Sequence, residues 1–165
     1  SGFESQDTLR KLNGKVQIYL PDLKYSDDKL AIKYSNAPYY FRIATDAIKE
    51  MYRQVGDYKI NDDGIMESGV IIRHLIMPGY LENSKKVIDW VAQNFKPGQV
   101  MFSLMHQYVP CGRAAEFPEI NRKVTAEEYA EIEQYLMDSS IEDGFVQEEE
   151  AACTEFIPCF DGTGV

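Results

Sequence analysis

Asp22 and Lys24 are the charged side chains whose spacing first suggests a ligand site. They follow a short β-prone run at residues 16–20 and stand two positions apart. Because the side chains of an extended chain alternate between faces, both can face the same side of a sheet. Such a pair suits a polar ligand with both signs of charge, such as an amino acid moiety, or a bound cation. A surface ion pair, which contributes about 0–1 kcal/mol, is an equally good interpretation of the spacing alone.

Arg73 lies in an apolar, β-branched run at residues 70–76, which ends before Pro78 and Gly79. A guanidinium in such surroundings needs a hydrogen-bonding partner. A ligand carboxylate or phosphate would provide one through bidentate hydrogen bonds, and so would a structural Asp or Glu; we favour the ligand. The neighbouring His74 points the opposite way along the same run, and we expect it to be a packing residue with satisfied hydrogen bonds.

His106 follows another apolar run, residues 100–104, and opens an irregular segment of about twenty residues. A histidine at that position could bind a ligand or transfer a proton. A simple loop histidine is an equally good interpretation. The sequence contains no G-x-S-x-G, H-E-x-x-H or P-loop motif, and the glycines at residues 162–164 are typical of a frayed end. The residues by themselves therefore indicate a polar cleft for an unknown substrate.

The elements that must position these residues alternate between strand and helix patterns. Strands are predicted at residues 16–20, 70–76, 100–104 and 144–146, and helices at residues 38–55, 82–95 and 125–137. A turn-rich stretch is expected between the first strand and the first helix, Pro38 suits that helix's first turn, and Thr125 with Glu128 forms a capping box.

This alternation predicts an α/β fold with a parallel sheet and right-handed crossovers, either a barrel or an open doubly wound sheet. In both architectures ligands bind outside the carboxyl ends of the strands. The sequence therefore predicts that one cleft is surrounded by Asp22, Lys24, Arg73, His74, His106, Gln107 and Tyr108.

The composition limits the class of protein. The chain has 165 residues, of which 44% are apolar and 27% charged, which is typical of a single globular domain. A net charge of -10 argues against nucleic-acid binding, and the acidic residues 148–150 are interpreted as a solvated face. No apolar run approaches the ~20 residues of a membrane span, and the N-terminus does not resemble an export signal. We expect a soluble, cytoplasmic protein.

The cysteines indicate a reducing compartment. Cys111, Cys153 and Cys159 form no C-x-x-C pair and are too few for a disulfide framework in a chain of this length. Neither they nor the two histidines have the spacing of a zinc or iron–sulfur motif. We therefore expect free cysteines and no metal site in this chain.

Three sequence segments indicate more in combination than the properties of their single residues do. They are residues 19–25 (YLPDLKY), 72–79 (IRHLIMPG) and 117–122 (FPEINR). In this order the D-L-K and R-x-x-x-x-P-G elements resemble the radical S-adenosylmethionine family, specifically proteins similar to pyruvate formate-lyase activating enzyme. The resemblance extends over nearly the whole chain.

The resemblance implies a partial parallel (β/α) barrel in which a four-iron, four-sulfur cluster reductively cleaves S-adenosylmethionine to a 5′-deoxyadenosyl radical. In the activating enzymes this radical abstracts hydrogen from a glycine of a partner, a glycyl radical enzyme. By the family pattern, Asp22 and Lys24 match positions near the cofactor and an associated cation, and Arg73 matches a cleft arginine. His106 matches the family's histidine loosely, because the alignment could shift it as far as Tyr108.

The sequence also departs from the family pattern. The cluster motif C-x-x-x-C-x-x-C and the G-G-E motif are both absent. We therefore expect residues 1–165 to be the C-terminal portion of the barrel, without the N-terminal cluster-binding half, inactive alone and holding neither cofactor by itself. A half barrel exposes the edge of its first strand, and unpaired edges associate, so we also expect dimers of the isolated chain.

Two other interpretations compete with an enzyme fragment. The chain could be a complete, non-catalytic α/β module that binds another protein through its acidic surface and long loop. Alternatively, Lys24 could be a Schiff-base lysine in an aldolase-like barrel.

Overall fold

The structure, a computed structural model, describes residues 2–146. The acidic residues 148–150, Cys153, Cys159 and the glycines of residues 162–164 lie outside that range. The strands are β1 (Ile18–Tyr19), β2 (Lys59–Ile60), β3 (Met66–Leu75), β4 (Met101–Met105) and β5 (Gly144–Val146). The helices are α1 (Gln6–Leu12), α2 (Asp28–Ser35), α3 (Tyr40–Val55), α4 (Leu81–Asn94) and α5 (Ala126–Met137), with a 3₁₀ helix at Gly112–Glu116.

The sheet has the parallel arrangement that the alternating pattern predicts. Its order is β1-β3-β4-β5, and all three of these pairings are parallel, whereas β2 pairs antiparallel with the first half of β3. Parallel pairing resumes beyond β1, because Asp22 forms a bridge with Arg73. The prediction of an α/β fold with about four parallel strands flanked by helices is confirmed.

The two faces of the sheet differ in what covers them. Val70, Ile72 and His74 of β3 are fully buried, whereas the alternate residues Ile71 and Arg73 are half-buried. The buried face contacts the helices: the Tyr19 hydroxyl, in register with Val70, donates to Gln54 of α3, and His74 bonds Ser84 of α4. α1 and α5 extend the same layer, since α1 contacts α3 and α5 contacts α4. We call the other side, which carries Ile71 and Arg73, the open face.

The long helices follow their predicted apolar periodicity. α3 buries Ala44, Ala47, Ile48 and Met51 on one side. It begins later than expected, because Pro38 lies in the preceding turn and Tyr39 adopts a left-handed backbone conformation, φ 59°, at the N-cap. The prediction that Pro38 occupies the first helical turn is therefore wrong by about half a turn.

The capping box that begins α5 is confirmed. The Thr125 hydroxyl accepts from the Glu128 amide at 3.2 Å, and the Glu128 carboxylate accepts from the Thr125 amide at 3.0 Å. These two bonds satisfy amides that the first turn leaves without helical partners.

Several short elements were not predicted. α1 and α2 bury one side chain each, Leu9 and Ala31, so neither has a clear apolar stripe. The turn-rich stretch predicted between β1 and α3 also contains a helix that the sequence did not indicate, α2. The first strand is also shorter than residues 16–20, with regular pairing only at Ile18–Tyr19.

Within residues 2–146, no helix has the length and apolar character needed to cross a bilayer.

Candidate functional site

Asp22 and Arg73 meet on the open face, at the carboxyl ends of β1 and β3. The Asp22 Oδ1 atom lies 2.7 Å from the Arg73 Nη2 atom. The backbones are also paired, because the Arg73 amide donates to the Pro21 carbonyl and the Leu23 amide donates to the Arg73 carbonyl, each at 2.9 Å. One partner of Arg73 is therefore a protein carboxylate, which is the alternative that the sequence left open beside a ligand. The Arg73 Nε atom, by contrast, is buried and has no hydrogen-bond partner among the described residues.

Tyr40, the first residue of α3, fixes the backbone around Asp22. Its hydroxyl donates to the Asp22 carbonyl and accepts from the Lys24 amide, both at 3.0 Å. Burial raises the pKa of Tyr40 to about 12, so the hydroxyl stays protonated and can keep both bonds. Gly2 packs closely here, since a Cβ atom at that position would lie 2.4 Å from the Asp22 carbonyl oxygen.

Asn83, near the start of α4, holds the residues that follow. Its amide nitrogen donates to the Lys24 carbonyl at 2.8 Å, and its Oδ1 atom accepts from the Ser26 amide at 2.7 Å. Sequence reasoning missed both Tyr40 and Asn83, because their partners are distant in the chain. No local pattern indicates which backbone groups such residues will bind.

Lys24 is exposed and lies between two cavities at this edge of the sheet. It shares the first, of about 200 Å³, with Asp22 and Tyr40. The prediction that Asp22 and Lys24 face the same space is confirmed. Within residues 2–146, the Lys24 ammonium forms no ion pair, whereas Arg73 is bound to Asp22 and Arg113 to Glu116.

The second cavity is lined mainly by aromatic and aliphatic side chains. Its volume is about 180 Å³. Leu75 and Met77 contribute from the end of β3, and Tyr108, Phe117 and Ile120 contribute from the long loop at residues 106–125. Tyr25, Tyr34 and Ala114 complete the wall, and Lys24, Cys111 and Arg113 lie at exposed positions around it. We call this the aromatic cavity.

A polar cluster attaches the long loop to α2. Glu119 accepts from the Lys33 ammonium and, at 2.7 Å, from the Tyr34 hydroxyl, which also lies 2.6 Å from the Tyr80 hydroxyl. The bonds from Lys33 and Tyr34 lower the pKa of Glu119 to about 2, so it is ionised at neutral pH. We call Lys33, Tyr34, Tyr80 and Glu119 the Glu119 clasp. It holds one wall of the aromatic cavity in place.

A second ion pair, between Arg122 and Glu128, links the sequence segments at residues 72–79 and 117–122. Arg122 donates through both terminal nitrogens to the two carboxylate oxygens of Glu128, each at 2.7 Å. The same carboxylate accepts from the Gly79 amide at 2.8 Å, and its bonds, the one from Arg122 foremost, lower its pKa to about 2. The P-G turn after β3 and the loop before α5 are therefore bound to a common group.

His74 is the satisfied packing residue that the sequence predicts. Its Nδ1 atom lies 2.7 Å from the Leu23 carbonyl and its Nε2 atom 2.8 Å from the Ser84 hydroxyl. A carbonyl can only accept, so Nδ1 carries the proton and Nε2 accepts from Ser84. Burial lowers the pKa of His74 to about 4, against the smaller opposing effect of the Leu23 bond.

His106 does not join the cleft. Its ring packs against Tyr129 of α5, with 4.2 Å between ring centroids, and borders neither cavity at Lys24. β4 ends at Met105, which is in register with Leu75 of the open face, so the next side chain turns toward the helices. The prediction that His106 lies beside Asp22, Lys24 and Arg73 is wrong, whereas Tyr108, which the sequence also predicts at the cleft, lines the aromatic cavity together with Lys24. Both ring nitrogens of His106 are buried without a hydrogen-bond partner among the described residues.

Within residues 2–146, no three His, Cys, Asp or Glu side chains converge on a common point. Cys111, the cysteine in that range, is free and exposed.

Comparison with known proteins gives one informative similarity. No protein-family model matches the sequence. An uncharacterized protein of Methanocaldococcus jannaschii is 34% identical over 129 residues, an alignment that covers 78% of this chain and 32% of the relative. The chain thus spans about a third of the length of the curated relative to which it is similar.

Proposed function

We propose that residues 1–165 form the C-terminal portion of a radical S-adenosylmethionine enzyme of the activating type, which contributes to the cofactor and substrate cleft of the complete protein and is inactive alone. One arrangement carries the proposal. Asp22, Lys24 and Arg73 lie at the carboxyl ends of neighbouring parallel strands, where α/β enzymes bind their ligands.

The one-sided sheet supports a partial barrel. In an open doubly wound sheet both faces carry helices, whereas the inner face of a barrel carries none. α1, α3, α4 and α5 all lie on the buried side, and the open face exposes Leu20 and Phe145 by 48% each. The remaining strands would come from the rest of a longer protein, and the length of the archaeal relative leaves room for them.

The charges at the carboxyl edge fit a ligand with both an amine and a carboxylate. Asp22 can accept from an ammonium, and Lys24 has no ion-pair partner among the described residues. The buried Nε atom of Arg73 can donate to one further acceptor. S-adenosylmethionine carries these groups on its methionyl end, and reductive cleavage of it is the chemistry that such enzymes use. The proposal assigns the iron–sulfur cluster to the part of the parent protein beyond this chain.

The proposed partner is a glycyl radical enzyme or another protein substrate. A protein substrate would approach the carboxyl edge, where the long loop at residues 106–125 borders the cleft. Its position at the edge of the cleft supports a role in substrate contact.

The test is anaerobic reconstitution of the full-length parent with iron and sulfide, followed by an assay for 5′-deoxyadenosine. We expect a cluster and S-adenosylmethionine cleavage in the wild type. Arg73→Gln should lower the rate at least about tenfold, because a charge-assisted hydrogen bond contributes about 1.5–3 kcal/mol. Arg53→Gln, which removes the ion pair between the exposed Arg53 and Glu50 on α3, away from the carboxyl edge, is the matched control and should leave the rate unchanged. A parent that binds no cluster and yields no 5′-deoxyadenosine would overturn the proposal.

The competing function is a non-catalytic interaction module. The half-exposed apolar residues of the open face favour it, because a partner protein would bury them. The upstream extent of the encoding reading frame distinguishes the enzyme fragment from the interaction module. A frame that continues upstream and encodes C-x-x-x-C-x-x-C supports the enzyme, whereas a start codon immediately before the Ser1 codon favours the module.

A further inference from the structure

The lining of the aromatic cavity is more apolar than polar. The hydroxyls of its three tyrosines are all turned to protein partners. Tyr25 bonds Ser35 at 2.8 Å, Tyr108 donates to the Ile120 carbonyl at 2.9 Å, and Tyr34 is held in the Glu119 clasp. The rings and aliphatic chains therefore form the inner wall.

The charged residues around the cavity do not change this character. Arg113 is paired with Glu116 on the 3₁₀ helix, and its side chain is 81% exposed. Lys24 also lines the cavity and is exposed, so its ammonium can stay in water while its methylene groups pack against an apolar ligand. Neither cation needs a charged ligand inside the cavity.

The cavity has the size and ring geometry to hold one aromatic ring. It opens to solvent, and its volume of about 180 Å³ is similar to the ~150 Å³ of an enclosed apolar cavity that binds benzene. Tyr34 and Phe117 already pack edge to face, with centroids 5.1 Å apart and planes at 86°. An added ring would extend this packing, because aromatic rings prefer such offset and edge-to-face contacts.

We propose that the aromatic cavity is a binding site for a single neutral aromatic ring of a substrate or ligand. The ring enters from the side of the long loop and packs against Tyr34, Phe117, Leu75 and Met77. The inference depends on the cavity alone and not on S-adenosylmethionine chemistry. It can therefore fail while the proposed function stands, or stand while that function fails.

The test is a titration of the chain with toluene, followed by saturation-transfer NMR and calorimetry. We expect saturable binding with Kd on the order of 1 mM, as a ligand of this size allows. Methylpyrazine, which has nearly the same shape, should bind about tenfold more weakly, because its ring nitrogens would lose water while the tyrosine hydroxyls of the inner wall stay bound to protein partners.

Ala114 and Ala115 provide a matched pair of variants on the same 3₁₀ helix. Ala114 lines the cavity and Ala115 is exposed outside it. Ala114→Phe, or Ala114→Leu if the first variant folds poorly by circular dichroism, should weaken toluene binding at least about tenfold by filling the space. Ala115→Phe should change it less than about twofold. Absence of saturable toluene binding, equal affinity for methylpyrazine, or equal loss in both variants would overturn the inference.

Discussion

Replacing His74 by glutamine should remove a pH-dependent part of the chain's stability. His74 is completely buried in β3, and its bonds to the Leu23 carbonyl and the Ser84 hydroxyl tie the strand to the segment that carries Asp22. Glutamine has a donor and an acceptor that can make the same two bonds. It does not titrate, so the variant keeps the contacts and loses the proton equilibrium.

The sign follows from where the proton binds. The usual pKa of histidine is near 6.5, whereas burial lowers that of His74 to about 4 in the folded chain. Below pH 6.5 the unfolded chain takes up a proton that the folded chain does not, so the free energy of unfolding falls as the pH falls toward 4. The loss should be about 2 kcal/mol at pH 5 and about 3 kcal/mol at pH 4, relative to pH 7.

Other buried or paired acids act in a different range. The pKa values of Glu50, Glu119 and Glu128 are lowered from 4.5 to about 2, so their contribution is lost only as the pH falls below about 4.5. The interval from pH 7 to pH 5 is therefore free of their effect. Every titrating group except His74 is present in both the wild type and the His74→Gln variant, so its effect cancels in the comparison.

Urea unfolding of the wild type and His74→Gln at pH 7, 6 and 5 measures the difference directly. We expect the wild type to lose about 2 kcal/mol more than the variant between pH 7 and pH 5, with equal m-values. If both proteins lose the same amount, His74 is either charged in the folded state or accessible to water, and the reasoning from its burial is refuted.

Three further changes test the loop, the two faces of the sheet and its edge. Glu119→Gln should open the Glu119 clasp and so speed amide hydrogen exchange in the long loop. Glu116→Gln, in the same loop, should leave the exchange rates unchanged. Equal exchange rates in the two variants would contradict the role of the clasp. Ile72→Ala should lower the free energy of unfolding in urea by about 2–5 kcal/mol, because it leaves a cavity under the helices. Ile71→Ala, on the open face, should lower it clearly less. Similar losses in the two variants would contradict the one-sided packing. The isolated chain should form dimers, as measured by light scattering. Leu20→Lys, at the free edge beside β1, should shift the equilibrium toward the monomer. A wild type that stays monomeric over a wide concentration range would exclude edge pairing.

The amino-acid sequence was sufficient where local pattern dominates. The β-branched run of β3, the apolar periodicity of α3 and the capping box of α5 each determine their element through nearest-neighbour effects, and all three are present. Parallel strands place their carboxyl ends at one edge of a sheet. This rule was enough to predict that Asp22 and Arg73 lie close together, and the two side chains form an ion pair. α1, α2 and β2 were missed because they are short and bury too few side chains to produce a periodic pattern.

Tertiary structure alone decided which side chains share the cleft and what each one binds. His106 and Tyr108 follow the same strand, yet the exact end of β4 sends the first toward α5 and leaves the second to line the aromatic cavity. The partner of Arg73 is Asp22, and the partners of Glu119 lie more than eighty residues away in α2. Such contacts depend on distances between segments remote in the chain, which local propensity and spacing do not encode.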